Sequence, residues 1–183
     1  MATKSNTQGK QGKQNTQSPQ GGSAVTGRMP ARLTHDYDGE LVVFHIGMRI
    51  RQWWRPDLWL PVFRAMPPML RELSQDPDSG LLGFRLIADP RGPWTVQYWS
   101  SLEKLYAYAS DPQASHRPAW SAFNRRARNA PQAVGVWHET YPVAGAESIY
   151  VGMPPIGLAE VVGSRPVTGR SHRAADRQAR MDR

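Results

Sequence analysis

The chain has 183 residues, no cysteine and a formal net charge of +8. This length suits one domain, and the lack of cysteine excludes disulfides, thiolate metal sites and a cysteine nucleophile. The sequence has no apolar run of about 18 residues, so no membrane span is predicted, and the polar N-terminus lacks the apolar core of a secretory signal. We therefore expect a cytoplasmic protein.

The positive charge is concentrated at the two ends of the chain. Residues 1–34 carry +5 and residues 164–183 carry +4, whereas residues 35–163 carry −1. Both ends are poor in apolar residues, so we predict a disordered basic tail on each side of a folded domain at 35–163. A nucleic-acid-binding module would carry its basic residues on a structured face. The charge distribution therefore predicts no specific nucleic-acid partner.

Apolar periodicity divides the folded segment into strands and helices. In chain order it predicts a strand at 40–50, a helical segment at 55–75, strands at 81–88 and 94–99, a helix after Ser100 or Ser101, a helix at 116–128, and strands at 133–143 and 148–153. Prolines 67 and 68 predict a kink or a break in the first helical segment, because proline removes a helical hydrogen bond. The spacing of Ser100 and Glu103 is that of a capping box.

This order of elements, β-α-β-β-α-β with an inserted helix and a trailing strand, is typical of an α+β, ferredoxin-like fold. Such a fold has an antiparallel sheet with helices on one face. The strand at 40–50 is apolar on both faces, which indicates that the second face is also covered. We expect two sheets to close face to face, as in a dimeric α/β-barrel, so that a homodimer encloses a barrel-like cavity.

Motifs for nucleotide, serine-hydrolase and zinc-protease chemistry are absent from the sequence. None of the five histidines has a metal-ligand spacing to another. The sequence therefore predicts neither a nucleotide cofactor nor a metal site.

His45 is the first candidate for a functional residue, because it interrupts an apolar strand. It shares a strand face with Arg49, and Arg85 and Gln97 are polar residues within neighbouring strands. We expect one face of the sheet to gather these groups around a ligand. A histidine whose hydrogen bonds are satisfied within the core is the structural alternative for His45.

Two further histidines are candidates. His138 and Glu139 are adjacent in a strand, so they point to opposite faces and do not form a pair. His116 begins the inserted helix, where it could act chemically or simply fix the entry of the helix. Asn124 on the same helix could turn inward, and some tryptophans could line a flat pocket.

Several segments resemble a known enzyme family. Trp99-Ser-Ser-Leu-Glu103-Lys-Leu-Tyr-Ala-Tyr followed by His116 resembles the strand–helix–histidine pattern of the antibiotic-biosynthesis monooxygenase-like superfamily. More closely, the chain resembles the family within it that is grouped with the monooxygenase of fumagillin biosynthesis. That resemblance spans about residues 37–158 and includes Ile46-Gly-Met-Arg49, Pro61-Val-Phe-Arg-Ala-Met-Pro67, Gly80-Leu-Leu-Gly83, Val96-Gln-Tyr-Trp99, His116-Arg-Pro-Ala-Trp120, Phe123-Asn124 and Trp137-His-Glu-Thr-Tyr141.

The resemblance implies a cofactor-independent monooxygenase of secondary metabolism. Its substrates would be dioxygen and a small hydrophobic or aromatic metabolite inside the barrel cavity, where the protein deprotonates the metabolite and stabilises the anion. The implied catalytic residues are His138 or His116 as base, with Arg49, Arg85 and Asn124 holding the anion. The resemblance also implies that Trp99 and Trp137 form the pocket wall. With His45 and Gln97, which the sheet pattern singles out, they are the expected substrate-binding residues.

Two alternatives stay open at this point. Relatives of the same fold use a histidine to bind haem, so His116 or His138 could be the axial ligand of a dehydratase- or peroxidase-like enzyme. The chain could also be a non-enzymatic module for ligand binding or assembly.

Overall fold

The computed structural model describes residues 32–114, 116–169 and 173–178. Its elements are β1 Arg32–His35, β2 Leu41–Ile50, α1 Pro56–Gln75, β3 Leu81–Ile87, β4 Trp94–Trp99, α2 Leu102–Ser110, α3 His116–Asn129, β5 Val134–Val143, β6 Tyr150–Val151, α4 Leu158–Val162, β7 Ser164–Pro166 and α5 Ala174–Gln178. The disorder predicted for residues 1–31 lies outside the described residues.

The main sheet has four antiparallel strands in the order β3-β4-β2-β5. Strands β2 and β5 are the first and last of the β-α-β-β-α-β unit, and they pair over their whole length from Leu41 and Val143 to Ile50 and Val134. Helix α1 connects β2 to β3, and helices α2 and α3 connect β4 to β5. This is the ferredoxin-like arrangement, which confirms the predicted fold class.

Helices α1, α2 and α3 pack against one face of this sheet, which we call the helix face. Its core contains two clusters of buried residues. One cluster joins the sheet to α1 and α2 and contains Val42, Leu73, Trp99 and Leu105. The other lies near the start of β5 and contains Met48, Ile50, Ala133 and Val134. The opposite face of the sheet is called the outer face.

Helix α1 differs from its prediction at the proline pair. It runs as one helix from Pro56 to Gln75 and contains Pro61, Pro67 and Pro68. The break predicted as one possibility does not occur, because the apolar stripe that includes Leu70 and Leu73 is buried against the sheet on the C-terminal side of the prolines.

The cap of α2 also differs in detail from the capping box. Ser101, not Ser100, is the N-cap residue, and its side chain accepts a hydrogen bond from the backbone N–H of Lys104 at 3.1 Å. Ser100 instead donates its backbone N–H to the carbonyl oxygen of Gly80, so it continues the end of β4.

A second, three-stranded sheet in the order β6-β1-β7 was not expected. Its core is formed by Leu33, Tyr150 and Ala159. The predicted domain boundaries at 35 and 163 need correction, because strand β1 starts at Arg32 and strand β7 begins at Ser164. The apolar content of these short strands is too low to stand out in a basic, polar sequence.

Helix α4 covers part of the outer face of the main sheet. A Cβ atom at Gly83 of β3 would lie 2.6 Å from a methyl group of Val161, so glycine permits this close packing. Over the described residues, no helix combines the length and apolar character that crossing a membrane requires.

Candidate active site

The register of the main sheet distributes the candidate residues over two faces. Paired residues in neighbouring strands point to the same face, and the pairs Ile46–His138 and Phe44–Gln97 place His138 and Gln97 on the helix face. Residues His45, Arg49, Arg85 and Trp137 lie on the outer face, by their pairing or by alternation along their strands. The sheet therefore does not gather His45, the arginines and Gln97 around one ligand, as the sequence analysis expected.

A cavity of about 540 Å³ lies on the helix face, bounded by α1, α2, α3, β2 and β5. His116 and His138 both line it. Most of the wall is apolar, with Phe44 and Ile46 from the sheet and Met66 from α1. A concave, mainly apolar space with a few polar groups is the usual form of a small-molecule site.

The two nitrogens of His116 have different environments. Nε2 lies 3.0 Å from the carbonyl oxygen of Ala109 at the end of α2. A carbonyl oxygen can only accept a hydrogen bond, so Nε2 donates and the proton of the neutral ring is on Nε2. Nδ1 is buried and has no hydrogen-bond partner among the described residues. His116 therefore lines the cavity and has one nitrogen, Nδ1, whose lone pair is not used in a hydrogen bond within the described residues.

Tyr108 packs against this imidazole, with 5.1 Å between the ring centroids. Burial, assisted by Glu72 and Asp111, raises the pKa of Tyr108 to about 12. The phenol of Tyr108 therefore stays neutral at physiological pH, and its uncharged ring packs against the imidazole of His116. The sequence analysis missed Tyr108, although its position in α2 next to the apolar stripe was a usable signal.

Gln97 and Trp99 form a buried polar chain in the sheet. The indole Nε1 of Trp99 donates to Gln97 at 3.0 Å, and the amide of Gln97 donates to the hydroxyl of Thr95 at 3.2 Å. Trp99 and Gln97 are only 1% and 4% exposed, and neither lines the cavity. These residues fix the sheet beneath the cavity.

His138 lines the same cavity from strand β5. Its side chain is exposed, and its ring lies 5.7 Å from that of Phe44. His116 and His138 thus occupy one cavity, but His116 has the more enclosed nitrogen.

Helix α3 supplies the positive charge of the cavity. It contains four arginines and no acidic residue, and Arg117 and Arg126 line the cavity. Asn124, on the same helix, is half-buried but does not line it. The run of arginines was visible in the sequence, but its orientation depends on how α3 packs on the sheet.

The outer face carries a separate aromatic cluster. The ring of His45 lies 5.1 Å from Trp94 and 5.5 Å from Tyr141, and Trp94 is 5.7 Å from Trp137. His45 Nδ1 lies 3.7 Å from Glu139, which also accepts a hydrogen bond from the Tyr141 hydroxyl at 2.8 Å.

The arginines of the outer face are also remote from the cavity. Arg49 and Arg85 are both exposed, and Arg85 lies 3.7 Å from Glu160 of α4. Neither lines the cavity that contains His116 and His138. Within the described residues, no three histidine or carboxylate side chains come together as a metal site.

Comparison with known proteins gives a family match. The family model described as Monooxygenase af470-like matches residues 41–158, which include the main sheet, α1, α2, α3 and every residue of the cavity. Among curated proteins, none matches the chain.

The chain is similar to several solved structures at low sequence identity. Aldoxime dehydratase OxdRE is 15% identical with a TM-score of 0.51, over 62% of this chain and 34% of that chain. SnoaB, a cofactor-independent oxygenase from Streptomyces nogalater, is 9% identical with a TM-score of 0.37, over 57% of this chain and 94% of its own. A dimeric ferredoxin-like protein of unknown function from Thermobifida fusca YX is 16% identical with a TM-score of 0.40, over 59% and 95% of the two chains.

Proposed function

This chain belongs to the Monooxygenase af470-like family, and from that premise we propose that it is a cofactor-independent monooxygenase. The substrates are dioxygen and a small hydrophobic or aromatic metabolite that binds in the cavity on the helix face. The observation that carries the proposal is that His116 lines that cavity while its Nδ1 atom has no hydrogen-bond partner among the described residues.

His116 acts as the general base. A base must have a free lone pair within reach of the substrate proton, and the hydrogen bond from Nε2 to Ala109 leaves that lone pair on Nδ1. The same hydrogen bond holds the ring in place and stabilises the imidazolium that forms, because Nε2–H continues to donate to the carbonyl oxygen. His138 is the second candidate base, since it lines the same cavity.

The reaction needs no external reductant when the substrate is an acidic CH₂ compound or a phenol-like carbon acid. Removal of a proton gives a carbanion or enolate, which donates electrons to dioxygen and forms a C–O bond, so that the carbon carries a hydroperoxide after protonation. Loss of water from the hydroperoxide then gives a carbonyl group. The balance is R₂CH₂ + O₂ → R₂C=O + H₂O, in which the substrate supplies all the electrons.

Arg117 and Arg126 stabilise the negative charge that deprotonation creates. They are the arginines that line the cavity in the described part of the chain, and both are exposed residues of α3. A cation placed near a developing anion stabilises it. They replace Arg49 and Arg85 in this role, because the latter two lie on the outer face.

The test is oxygen uptake with anthrone, a carbon acid whose anion reacts with dioxygen, measured in the presence of EDTA and without added cofactor. We expect His116→Gln to lower kcat by about 100-fold or more, because glutamine can still donate to Ala109 but cannot accept the proton. We expect His138→Gln to lower it less than tenfold. Unchanged rates in both variants would contradict the proposal.

Arginine variants provide a matched control in the same helix. Arg126→Gln is expected to lower kcat/KM by about tenfold. Arg125 is exposed and lies outside the cavity wall, so Arg125→Gln leaves kcat/KM unchanged.

An absorption spectrum of protein from haem-fed cells distinguishes the haem-binding alternative from the cofactor-independent reaction. In that alternative, His116 and His138 are the imidazoles that line the cavity. A Soret band that is lost in His116→Gln would favour that alternative.

A further inference from the structure

A second compartment lies beside the histidine cavity, between α1 and strands β3 and β4. Its volume is about 360 Å³. The two spaces share four wall residues, two from the sheet and two from α1: Ile46, Val136, Val62 and Met66. The two spaces are therefore neighbours beneath α1, with these four side chains as their common wall.

The wall of this second compartment offers almost no polar group to a ligand. Its hydroxyls are already used, because Ser74 donates to the carbonyl oxygen of Leu70 at 2.7 Å and Thr95 accepts from Gln97 at 3.2 Å. Arg71 is the charged residue that lines this compartment, and it is an exposed residue of α1. A ligand in this space gains free energy chiefly from the burial of apolar surface.

Exposed apolar side chains mark the outer end of the compartment. Phe63 is 42% exposed, Phe84 is 38% exposed and Leu86 is 59% exposed, and all three line it. Adjacent apolar side chains that remain in contact with water are typical of a binding surface. Phe84 and Leu86 lie on β3, an edge strand of the main sheet, so a ligand can reach them without any movement of the core.

We propose that this compartment binds the aliphatic arm of the substrate, while the acidic head of the same molecule lies at His116. The inference rests on the proposed function, because it assigns the reacting end to the same cavity. The substrate class is then a phenol- or enol-type head with an aliphatic chain that passes beneath α1. Met66 lines both spaces, and its unbranched, flexible side chain can move to let an aliphatic chain pass from one to the other.

The test measures binding rather than turnover. We use isothermal titration calorimetry with 4-methylphenol and 4-hexylphenol, which share the acidic head and differ in the length of the arm. A fully buried methylene increases affinity by about fourfold, so partial burial of five methylenes gives an expected ratio of roughly 30-fold or more in favour of 4-hexylphenol. Phe84→Gln and Leu86→Gln are each expected to reduce this ratio at least threefold, without changing the affinity for 4-methylphenol.

Ile149→Gln is the matched control, because Ile149 is also an exposed apolar residue, at 41%, but lies outside the compartment. It is expected to keep the ratio of the unaltered protein. Equal affinity for the two phenols, or a ratio unchanged in both variants, overturns the inference. A change of native mass in Phe84→Gln or Leu86→Gln also overturns it, since a second copy of the chain would then cover the compartment.

The two proposals fail separately. If the length of the alkyl group has no effect on binding but oxygen uptake still depends on His116, the proposed site for the aliphatic arm is wrong and the proposed function stands. If the long-chain phenol binds as expected but oxygen uptake is independent of both histidines, the compartment stands and the proposed function fails.

Discussion

The imidazole of His116 uses its two nitrogens differently, and this difference defines its chemistry. Nε2–H donates a hydrogen bond to the carbonyl oxygen of Ala109, with 3.0 Å between nitrogen and oxygen, and Nδ1 is buried without a partner among the described residues. A buried hydrogen-bond acceptor without a partner costs folding free energy. The proposed role of His116 as a general base gives a functional reason for this cost.

Tyr108, which packs on His116, allows a test of burial at this position. In the folded protein its pKa is raised to about 12, chiefly by burial, from the ordinary value of 10.0. As pH rises from 10 to 12 the unfolded chain loses this proton and the folded protein keeps it, so stability falls over that range. Because phenylalanine has no such proton, we expect Tyr108→Phe to lose less stability between pH 9 and pH 11.

Urea unfolding at the two pH values measures this difference. Tyr106→Phe is the control, because Tyr106 is 54% exposed on the same helix, and we expect its decline to equal that of the unaltered protein. Part of the decline persists in Tyr108→Phe, since the pKa values of Tyr37 and Tyr98 are also raised by burial. The same decline in all three proteins would show that Tyr108 is not buried as described.

At the scale of elements, α1 lines both compartments, and it contains prolines at unfavourable positions. Pro67 and Pro68 each lack the N–H that would bond to the carbonyl four residues earlier, at Phe63 and Arg64. Both prolines are exposed, so they contribute little to the core. The helix persists because Leu70 and Leu73 are buried after the pair, and Leu58 and Val62 pack partly buried against the core before it.

Pro68→Ala tests this explanation. Alanine restores a donor for the carbonyl oxygen of Arg64, and the added flexibility of the unfolded chain offsets only part of the gain. We therefore expect the free energy of unfolding to increase by about 1 to 2 kcal/mol. Pro56→Ala is the control, because a proline in the first turn costs no hydrogen bond, and its unfolding midpoint in urea should not increase. A loss of stability in Pro68→Ala would contradict this explanation.

The elements of the main sheet could be predicted from local sequence, but the composition of each face could not. Within β4, alternation places Thr95, Gln97 and Trp99 on one face. Whether that face also carries Arg85 depends on the register between β3 and β4, which shifts near Leu81 and Gly83. One residue of register moves a side chain to the opposite face, so Gln97 was grouped with the wrong neighbours.

For the candidate site, the chemistry of His116 could be suspected from its position before a helix, but its hydrogen bond could not. The contact to Ala109 depends on the turn between α2 and α3, which sequence patterns do not specify. Likewise the arginines of α3 were visible, whereas the orientation of Arg126 towards the cavity depends on the packing of α3 beside α1.

On the scale of the whole molecule, the outer face suggests a role in assembly. His45, Trp94, Trp137 and Tyr141 form an aromatic cluster there, away from the cavity. Trp137 and His45 are only partly buried, and α4 covers the region of β3 rather than this cluster. The homodimer expected from the sequence would cover this cluster, and it remains a prediction.

The proposed reaction requires that dioxygen itself supplies the oxygen atom at the cavity of His116. The direct measurement is mass spectrometry of anthraquinone formed from anthrone under ¹⁸O₂, with EDTA present and no added cofactor. We expect one ¹⁸O atom in the newly formed carbonyl group, at a rate that Arg125→Gln preserves and that His116→Gln lowers by about 100-fold or more. Product formed at the full rate by His116→Gln and His138→Gln, or a carbonyl oxygen that comes from water during turnover, would contradict the account.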